Sequence, residues 1–186
     1  VEMNRVKEAF AMCETLVEQG KIGWYGVASW NGLLYEEETV EYLSLYELTL
    51  LAREVAPQGD HFRYIQAPYN IAKPHAMRYT NQKLEDGRYY TLFQAAHRLG
   101  LSCVASSPLL QMNLFSKPFT PSVKKVLKTE LLSDVQTALQ FARSSPCVSS
   151  VFGAKEAQHV KENLWLAHTP LPSVEGLNTL WGEDKT

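Results

Sequence analysis

The chain has 186 residues, of which 45% are hydrophobic, and 18 Lys and Arg against 20 Asp and Glu give a formal net charge of −2. These values are typical of a globular protein with one core, so residues 1–186 are expected to form a single domain. The near-neutral charge gives no electrostatic reason to expect nucleic acid or an anionic membrane surface as a partner. No apolar run approaches the roughly 18 residues that a membrane span requires.

Hydrophobic spacing predicts helices that alternate with short strands along the chain. Residues 2–19 show a clear helical stripe that includes Phe10 and Val17, and Gly20 ends it. A short segment at 177–181 precedes a tail, 182–186, that is expected to be frayed. The further predicted helices are 41–56, 91–99, 133–144 and 154–166, and the predicted strands are 24–29, 62–67, 101–105 and a buried run at 148–152.

Two long segments follow predicted strands. Residues 68–90 are polar and irregular, with turn signals at Lys73-Pro74 and Asp86-Gly87, and they exceed the usual length of a βα loop. A loop of this size at a strand end often covers a substrate. Residues 106–115 form the second long loop. Because no hairpin signal interrupts the alternation, we expect a parallel sheet with right-handed crossovers.

Four βα units fit two α/β folds, a small doubly wound domain or half of an eight-stranded barrel. The long loops follow strands rather than helices, as they do in barrels. A glycine-rich phosphate loop of the dinucleotide-binding type is missing after the first predicted strand. Both features favour the barrel.

The last predicted βα unit has a glycine corner. Gly153 separates the strand from a helix in which Val160 and Leu164 are four residues apart, so the helix is expected to start directly at the strand tip. The first turn of a helix presents unpaired N–H groups and the positive end of its dipole, and a phosphate would fit there. Packing alone also explains such a glycine, since any βα unit of a parallel sheet has one near this corner.

Four segments of the sequence form recognisable motifs in chain order. They are Gly20-Lys-Ile22 with Gly26-Val-Ala-Ser-Trp30; Ile65-Gln-Ala-Pro-Tyr-Asn70; Val104-Ala-Ser-Ser-Pro-Leu-Leu-Gln111; and Gly153-Ala-Lys155 with Val160, Glu162 and Asn163. In this order they resemble the motifs of the fifth to eighth strands of the aldo-keto reductase family. The resemblance implies an α/β fold of parallel (β/α) units, the C-terminal half of a TIM-type (β/α)8 barrel.

The resemblance also implies NADPH as the cofactor and assigns contacts along it. The nicotinamide end is expected near Trp24 and Trp30, with Ser106 in the place of a stacking aromatic, and the strand tips are expected on one rim. His159 stands where many members have Arg. The implied contacts are Ser29 and Gln66 for the carboxamide; Ser107, Leu109 and Gln111 for the pyrophosphate; and Gly153, Lys155, His159, Glu162 and Asn163 for the adenosine and its 2′-phosphate.

The catalytic Asp, Tyr, Lys and His of that family lie on its first four strands, outside the four motifs. The chain is therefore predicted to be the cofactor-binding part of an NADP-dependent carbonyl oxidoreductase that is inactive alone. The alternative is a non-catalytic dinucleotide-binding or interaction module. A half barrel has two open edges and an uncovered inner face, which predicts self-association or a complementary N-terminal half-barrel chain.

Three cysteines, Cys13, Cys103 and Cys147, are scattered along the sequence. Free thiols of this kind favour a reducing cytoplasmic location, and the charged N-terminal segment is unlike a secretory signal. Cys103 lies in an apolar stretch and is expected in the core. No His, Cys or Asp spacing in the sequence indicates a metal site.

Overall fold

The computed structural model describes residues 2–147 and 149–181, and the chain divides into two compact units. The first unit contains residues 2–68 and 73–104, and the second contains residues 69–72 and those from 105 onward. Among the described residues, no helix has both the length and the hydrophobicity needed to cross a bilayer.

The first unit holds a parallel sheet with helices and a separate hairpin. Strands β1 and β2 pair in parallel, and β2 has β5 as its other neighbour. Strand β5 begins in this unit and ends in the second. In chain order the elements are α1 (Met3–Glu18), β1 (Tyr25–Ala28), α2 (Leu45–Val55), β2 (Phe62–Pro68), α3 (His75–Arg78), β3 (Thr80–Lys83), β4 (Tyr89–Thr91), α4 (Leu92–Arg98) and β5 (Ser102–Ser106).

Helix α1 packs on the N-terminal ends of β1 and β2 through aromatic side chains. The ring of Phe10 lies 5.1 Å from that of Tyr25 and 5.2 Å from that of Phe62, measured between ring centroids. All three side chains are buried. Burial of an aromatic side chain is a large apolar contribution to folding. The predicted stripe of residues 2–19 is thus confirmed, and its Phe10 fixes the helix to the sheet.

Side-chain caps set the starts of α2 and α4. The prediction that the second helix begins at residue 41 is wrong, because α2 begins at Leu45, where Ser44 Oγ accepts a hydrogen bond from the Glu47 N–H. Helix α4 starts after Thr91, which forms a reciprocal capping box with Gln94.

The expectation of an irregular loop at residues 68–90 without a hairpin is wrong. This segment contains α3 and the antiparallel pair β3–β4, whose turn includes Gly87 with φ +74°. The hairpin strands are short and polar, so they lack the alternating apolar residues that indicate a strand. Buried amides stabilise it instead, since Asn81 and Gln82 are both buried and hydrogen-bonded to backbone groups.

Within the described residues, the second unit contains the end of β5, its neighbour β6 and four α-helices. Helix α6 matches the prediction for 133–144, and Ser133 and Gln136 form its capping box. Helix α5 was not predicted. The predicted segment at 177–181 belongs to a helix that starts at Val174, and residues 182–186 lie outside the described residues. The elements are α5 (Pro121–Leu127), α6 (Asp134–Arg143), β6 (Ser149–Ser150), α7 (Ala157–Leu164) and α8 (Val174–Thr179).

The last βα unit differs from its prediction. Strand β6 contains only Ser149–Ser150, and Val151 and Phe152 are 45% and 37% exposed rather than buried; Val148 lies outside the described residues. Helix α7 does not start at the strand tip, because residues 151–156 intervene. It packs on α6 and leaves these apolar side chains uncovered.

Candidate functional site

Ser29 and Gln66 lie together at the C-terminal ends of β1 and β2. The strands are in parallel register with Ala28 opposite Gln66, and the Ser29 N–H donates a 3.0 Å hydrogen bond to the Gln66 carbonyl. Ser29 and Gln66 are therefore adjacent in the first unit, as the sequence predicted.

The Ser29 side chain shapes the loop that follows it. Its Oγ accepts a 2.9 Å hydrogen bond from the Gly32 N–H, which leaves the hydroxyl proton able to donate elsewhere. Gly32 is required by this packing, since a Cβ there would lie 2.9 Å from the Glu41 carbonyl oxygen and 3.0 Å from Ser29 Oγ. The hydroxyl is thus held in a fixed position by the loop.

The half-buried Gln66 side chain lines a cavity on the sheet of the first unit. A carboxamide carries both donor and acceptor groups, so it can pair with another amide placed in that cavity. The cavity measures about 180 Å³, and its wall includes Gly26, Ala28, Tyr64, Gln66 and Val104.

The two tryptophans that were expected together lie at different ends of β1. Trp30 follows Ser29 directly at the C-terminal end and is exposed. Trp24 precedes the strand, and its ring lies 5.6 Å from the His61 ring and 5.3 Å from the Arg63 guanidinium carbon. The expectation that Trp24 lies near the same site is wrong, because side chains before and after a strand lie at its opposite ends.

The hairpin β3–β4 holds the loop after Ser29, which the sequence did not indicate. Tyr79 donates its hydroxyl to Glu36, and Tyr89 donates to Glu37. These hydrogen bonds to carboxylates raise the pKa of both tyrosines. No regular spacing links the donors to the acceptors, so only the folded chain shows that the hairpin is joined to the loop after β1.

In the second unit, the backbone of Ser106 and Ser107 is held by the segment 69–72. The Tyr69 N–H donates a 3.0 Å hydrogen bond to the Ser106 carbonyl, and the Asn70 side-chain amide donates a 3.0 Å hydrogen bond to the Ser107 carbonyl. Asn70 is fully buried, and its Oδ1 accepts from the Ala72 N–H. Asn70 ends one of the recognised motifs, but its positioning role could not be deduced from the sequence.

The loop after Ser107 has an unusual backbone. Ser107 has φ +51°, and the consecutive residues Leu110, Gln111 and Met112 have φ +46°, +53° and +70°. Left-handed conformations cost roughly 1–2 kcal/mol for each non-glycine residue and cluster at functional sites. Leu109 sits within this turn, where its carbonyl accepts a 2.8 Å hydrogen bond from the Met112 N–H. The structure thus brings together the three residues predicted to contact a pyrophosphate.

Gly153, Lys155 and His159 are all exposed around the start of α7. Glu156 occupies the N-cap position, and its side chain makes no capping hydrogen bond to the first-turn amides. Gly153 is in open space and outside the left-handed region, so its backbone does not require glycine. Lys155, His159 and the N-terminal amides of α7 are groups of the kind that bind an anion.

The predicted pair Glu162 and Asn163 points in two directions. Glu162 is exposed, and its Oε1 accepts a 2.9 Å hydrogen bond from Gln158, whereas Asn163 is buried. The Gln136 side-chain amide on α6 donates a 2.7 Å hydrogen bond to the Glu162 carbonyl, which fixes this turn of α7. Successive helical residues are about 100° apart, so the two side chains do not face one ligand atom together.

The described residues contain no group of three His, Cys, Asp or Glu side chains arranged to hold a metal ion. Cys13, Cys103 and Cys147 do not form disulfides, and Cys103 is buried as expected. Burial raises the pKa of Cys147 to about 11, so this thiol is a poor nucleophile at neutral pH.

No protein-family model and no curated protein matches the sequence. The fold is similar to solved aldo-keto reductases. A thermostable enzyme in complex with the inhibitor epalrestat has 22% identity and a TM-score of 0.59, with 94% of this chain and 53% of that chain covered. An enzyme from Klebsiella pneumoniae in complex with NADPH has 21% identity and a TM-score of 0.61, with 90% and 50% covered.

An aldo-keto reductase from Bacillus halodurans in its apo form has 17% identity and a TM-score of 0.55, with 97% of this chain and 56% of that chain covered. At these identities the likeness concerns the fold alone. The chain spans about half the length of the solved structures that it resembles.

Proposed function

We propose that this chain, which has the parallel (β/α) fold of about half of an aldo-keto reductase barrel, is the cofactor-binding portion of an NADP-dependent carbonyl oxidoreductase. The nicotinamide dinucleotide supplies the hydride in such reactions. The chain's own residues bind and orient that cofactor. Turnover requires the Asp, Tyr, Lys and His that the family places outside the four recognised motifs, so the chain alone is inactive.

The observation that carries the proposal is the pairing of Ser29 with Gln66. The hydrogen bond between their backbones fixes two polar side chains at adjacent strand ends. The Gln66 amide lines the cavity, and the Ser29 hydroxyl retains a proton to donate. Together they offer donors and an acceptor that are complementary to a nicotinamide carboxamide.

Features of the second unit support an adenosine and phosphate contact. The exposed Lys155 lies near the start of α7, with His159 in its first turn. The turn that contains Ser107, Leu109 and Gln111 includes left-handed backbone, and the Asn70 side-chain amide stabilises it by donating a hydrogen bond to the Ser107 carbonyl. Strained backbone at binding sites usually persists because the surrounding structure holds it. The weaker part of the fit is the adenine contact, because Glu162 is bonded to Gln158 and Asn163 is buried.

The partner in this proposal is a complementary half barrel or a second copy of the chain. Exposed apolar residues at the end of β6 and on α7 support it, since large uncovered patches mark interaction surfaces. Size-exclusion chromatography with light scattering is expected to show association above the monomer mass. A stable monomer at high concentration would contradict self-association of the chain. The free thiols support a cytoplasmic location.

The proposed function is tested by titrating the chain with NADPH while tryptophan fluorescence and NADPH absorbance are followed. Quenching of Trp30 without loss of NADPH absorbance in the presence of aldehydes is expected. Trp30→Phe should abolish the quench, and Trp24→Phe should retain it because Trp24 lies at the other end of β1. Carbonyl reduction by the isolated chain would contradict the assignment of a non-catalytic half, and absence of any quench would contradict cofactor binding.

A further inference from the structure

A cavity of about 440 Å³ lies in the first unit between α2, α4 and the turn of the hairpin β3–β4. This volume is within the range of small-molecule sites, about 300–1,000 Å³. Tyr46 and Arg53 line it from α2, where they are two helical turns apart and therefore lie on one side of the helix. None of the lining residues is among those assigned to the dinucleotide.

The guanidinium of Arg98, at the end of α4, is held over an aromatic ring. Its central carbon lies 4.3 Å from the centroid of the Tyr90 ring, and the Tyr90 hydroxyl donates a hydrogen bond to Asp86. Such stacking limits the orientations of the long side chain and leaves the N–H groups at its edge able to bind. Arg98 lines the cavity, and it forms no ion pair or hydrogen bond with any described residue.

The cavity wall also contains charged groups of both signs. Arg53 and Glu85 are exposed, and neither side chain has a hydrogen bond or an ion pair within the part of the chain that the structure describes. The carboxylate of Asp86 is already paired, since it accepts from the Arg88 N–H and the Tyr90 hydroxyl. Two guanidinium groups and one carboxylate are therefore available to a ligand. Their opposite charges are complementary to a molecule that carries both signs.

The remaining wall is apolar. Leu84 of the hairpin turn, Leu99 after α4 and the ring of Tyr46 are half-buried and line the same cavity. Ligand sites typically combine such apolar side chains with a few polar groups that fix the orientation of the ligand. A hydrocarbon side chain would gain apolar contact here, while its charged groups pair with the arginines and the glutamate.

We propose that this cavity binds an α-amino acid with a large apolar side chain. Arg98, together with Arg53, binds the carboxylate, because a planar guanidinium matches a carboxylate with two parallel hydrogen bonds. Glu85 binds the ammonium group, and the apolar side chain packs on Tyr46 and Leu99. The site is separate from that of the dinucleotide, and the proposal stands whether or not the chain binds NADPH.

The test uses L-phenylalanine as the probe, with 3-phenylpropionate, which lacks the ammonium group, and 2-phenylethylamine, which lacks the carboxylate. Each is titrated into the whole chain and followed by ligand-detected NMR. Saturable binding of L-phenylalanine is expected, with an affinity about tenfold above that of either analogue, the effect of one charge-assisted contact. Absence of saturable binding, or an analogue that binds as tightly as L-phenylalanine, would overturn the proposal.

Two variants locate the binding. Arg98→Gln should weaken L-phenylalanine and 3-phenylpropionate about tenfold and leave 2-phenylethylamine unchanged. Glu85→Gln should weaken L-phenylalanine and 2-phenylethylamine by a similar factor and leave 3-phenylpropionate unchanged. Arg88→Gln, on the same turn but outside the cavity wall, is the matched control and should change none of the three affinities.

Far-UV circular dichroism and the thermal midpoint confirm that each variant is folded. Unchanged L-phenylalanine binding in folded Arg98→Gln or Glu85→Gln would place the ligand elsewhere and reject the site. An equal loss in Arg88→Gln would show a general effect of surface charge and would also reject it.

Discussion

The side-chain amide of Gln82 donates a 2.9 Å hydrogen bond to the Leu33 carbonyl, which ties the hairpin to the loop that follows β1. Gln82 is fully buried; it also donates to the Leu43 carbonyl, and its Oε1 accepts from the Leu45 N–H at the start of α2. One side chain therefore satisfies three backbone groups. This explains why a polar hairpin is an integral part of the first unit.

Gln82→Leu is expected to destabilise the protein by about 2–4 kcal/mol, because the Leu43 carbonyl and the Leu45 N–H lose the hydrogen bonds of Gln82, whereas the Leu33 carbonyl keeps one from Asn81. Urea denaturation of the variant and the wild type measures the difference. Gln58→Leu, at an exposed turn position, is the matched control and should change the free energy of unfolding by less than about 0.5 kcal/mol. Equal stabilities of Gln82→Leu and the wild type would mean that this network contributes nothing.

Gly32→Ala should disturb the loop after Ser29. The added methyl would lie 2.9 Å from both the Glu41 carbonyl oxygen and Leu43 Cδ1, so the loop must move. Since the Gly32 N–H holds Ser29 Oγ, we expect weaker NADPH binding together with a lower thermal midpoint. Gly23→Ala, where nothing lies within 4 Å of the added Cβ, is the control. An unchanged midpoint and affinity in Gly32→Ala would show that the loop adapts freely.

The stability of the first unit should fall in acid through Glu14. Burial alone would raise the pKa of Glu14, but the hydrogen bonds that its carboxylate makes with the His61 backbone N–H and ring outweigh it and hold the pKa below its ordinary value of 4.5. A carboxylate with a lowered folded pKa stabilises the protein fully above its ordinary value, and this contribution is lost as the pH falls through the folded pKa. The loss therefore begins near pH 4.5 and continues below it.

Glu14→Gln should make the free energy of unfolding depend less steeply on pH. Its free energy of unfolding, measured by urea denaturation between pH 3 and 7, should be lower than that of the wild type at pH 7 and converge with it in acid. Glu8→Gln on the exposed side of the same helix should leave the slope unchanged. Parallel curves for the wild type and Glu14→Gln would exclude this carboxylate as the origin of the pH dependence.

The sequence predicted best where one face of an element is apolar. The stripe around Phe10 specified α1, and the parallel alternation placed Ser29 beside Gln66, because polar residues after adjacent parallel strands share an edge. The sequence-based prediction failed where hydrogen bonds between polar side chains and distant backbone groups determine the structure. The hairpin depends on Asn81 and Gln82, whose partners are more than 35 positions away in the chain.

The last βα unit shows the other limit of sequence-based prediction. Val151, Phe152, Val160 and Leu164 have the composition of a buried layer, yet all four are exposed. Apolar spacing indicates which residues could form a buried face but not whether another element covers that face. The spacing likewise did not show that Asn163 turns inward while Glu162 turns outward.

Lys155→Ala tests the phosphate contact. The affinity for NADP⁺ is expected to fall about tenfold, the equivalent of ~1.4 kcal/mol, because a charge-assisted contact to the 2′-phosphate is lost. The affinity for NAD⁺, which lacks that phosphate, should stay unchanged in calorimetric titration. Lys125→Ala on α5 is the exposed control. Equal losses for NADP⁺ and NAD⁺ would mean that Lys155 does not read the 2′-phosphate.

The most direct test of the account is calorimetric titration of the wild type and Gln66→Leu with NADP⁺ and with adenosine 2′,5′-bisphosphate, which lacks the nicotinamide. Gln66 lines the cavity at the end of β2, and a lost amide pairing typically costs about 1 kcal/mol or more. Gln66→Leu is therefore predicted to bind NADP⁺ about five- to tenfold more weakly and the bisphosphate equally well. If the variant binds NADP⁺ as tightly as the wild type, the nicotinamide does not lie at Gln66 and the central claim is wrong.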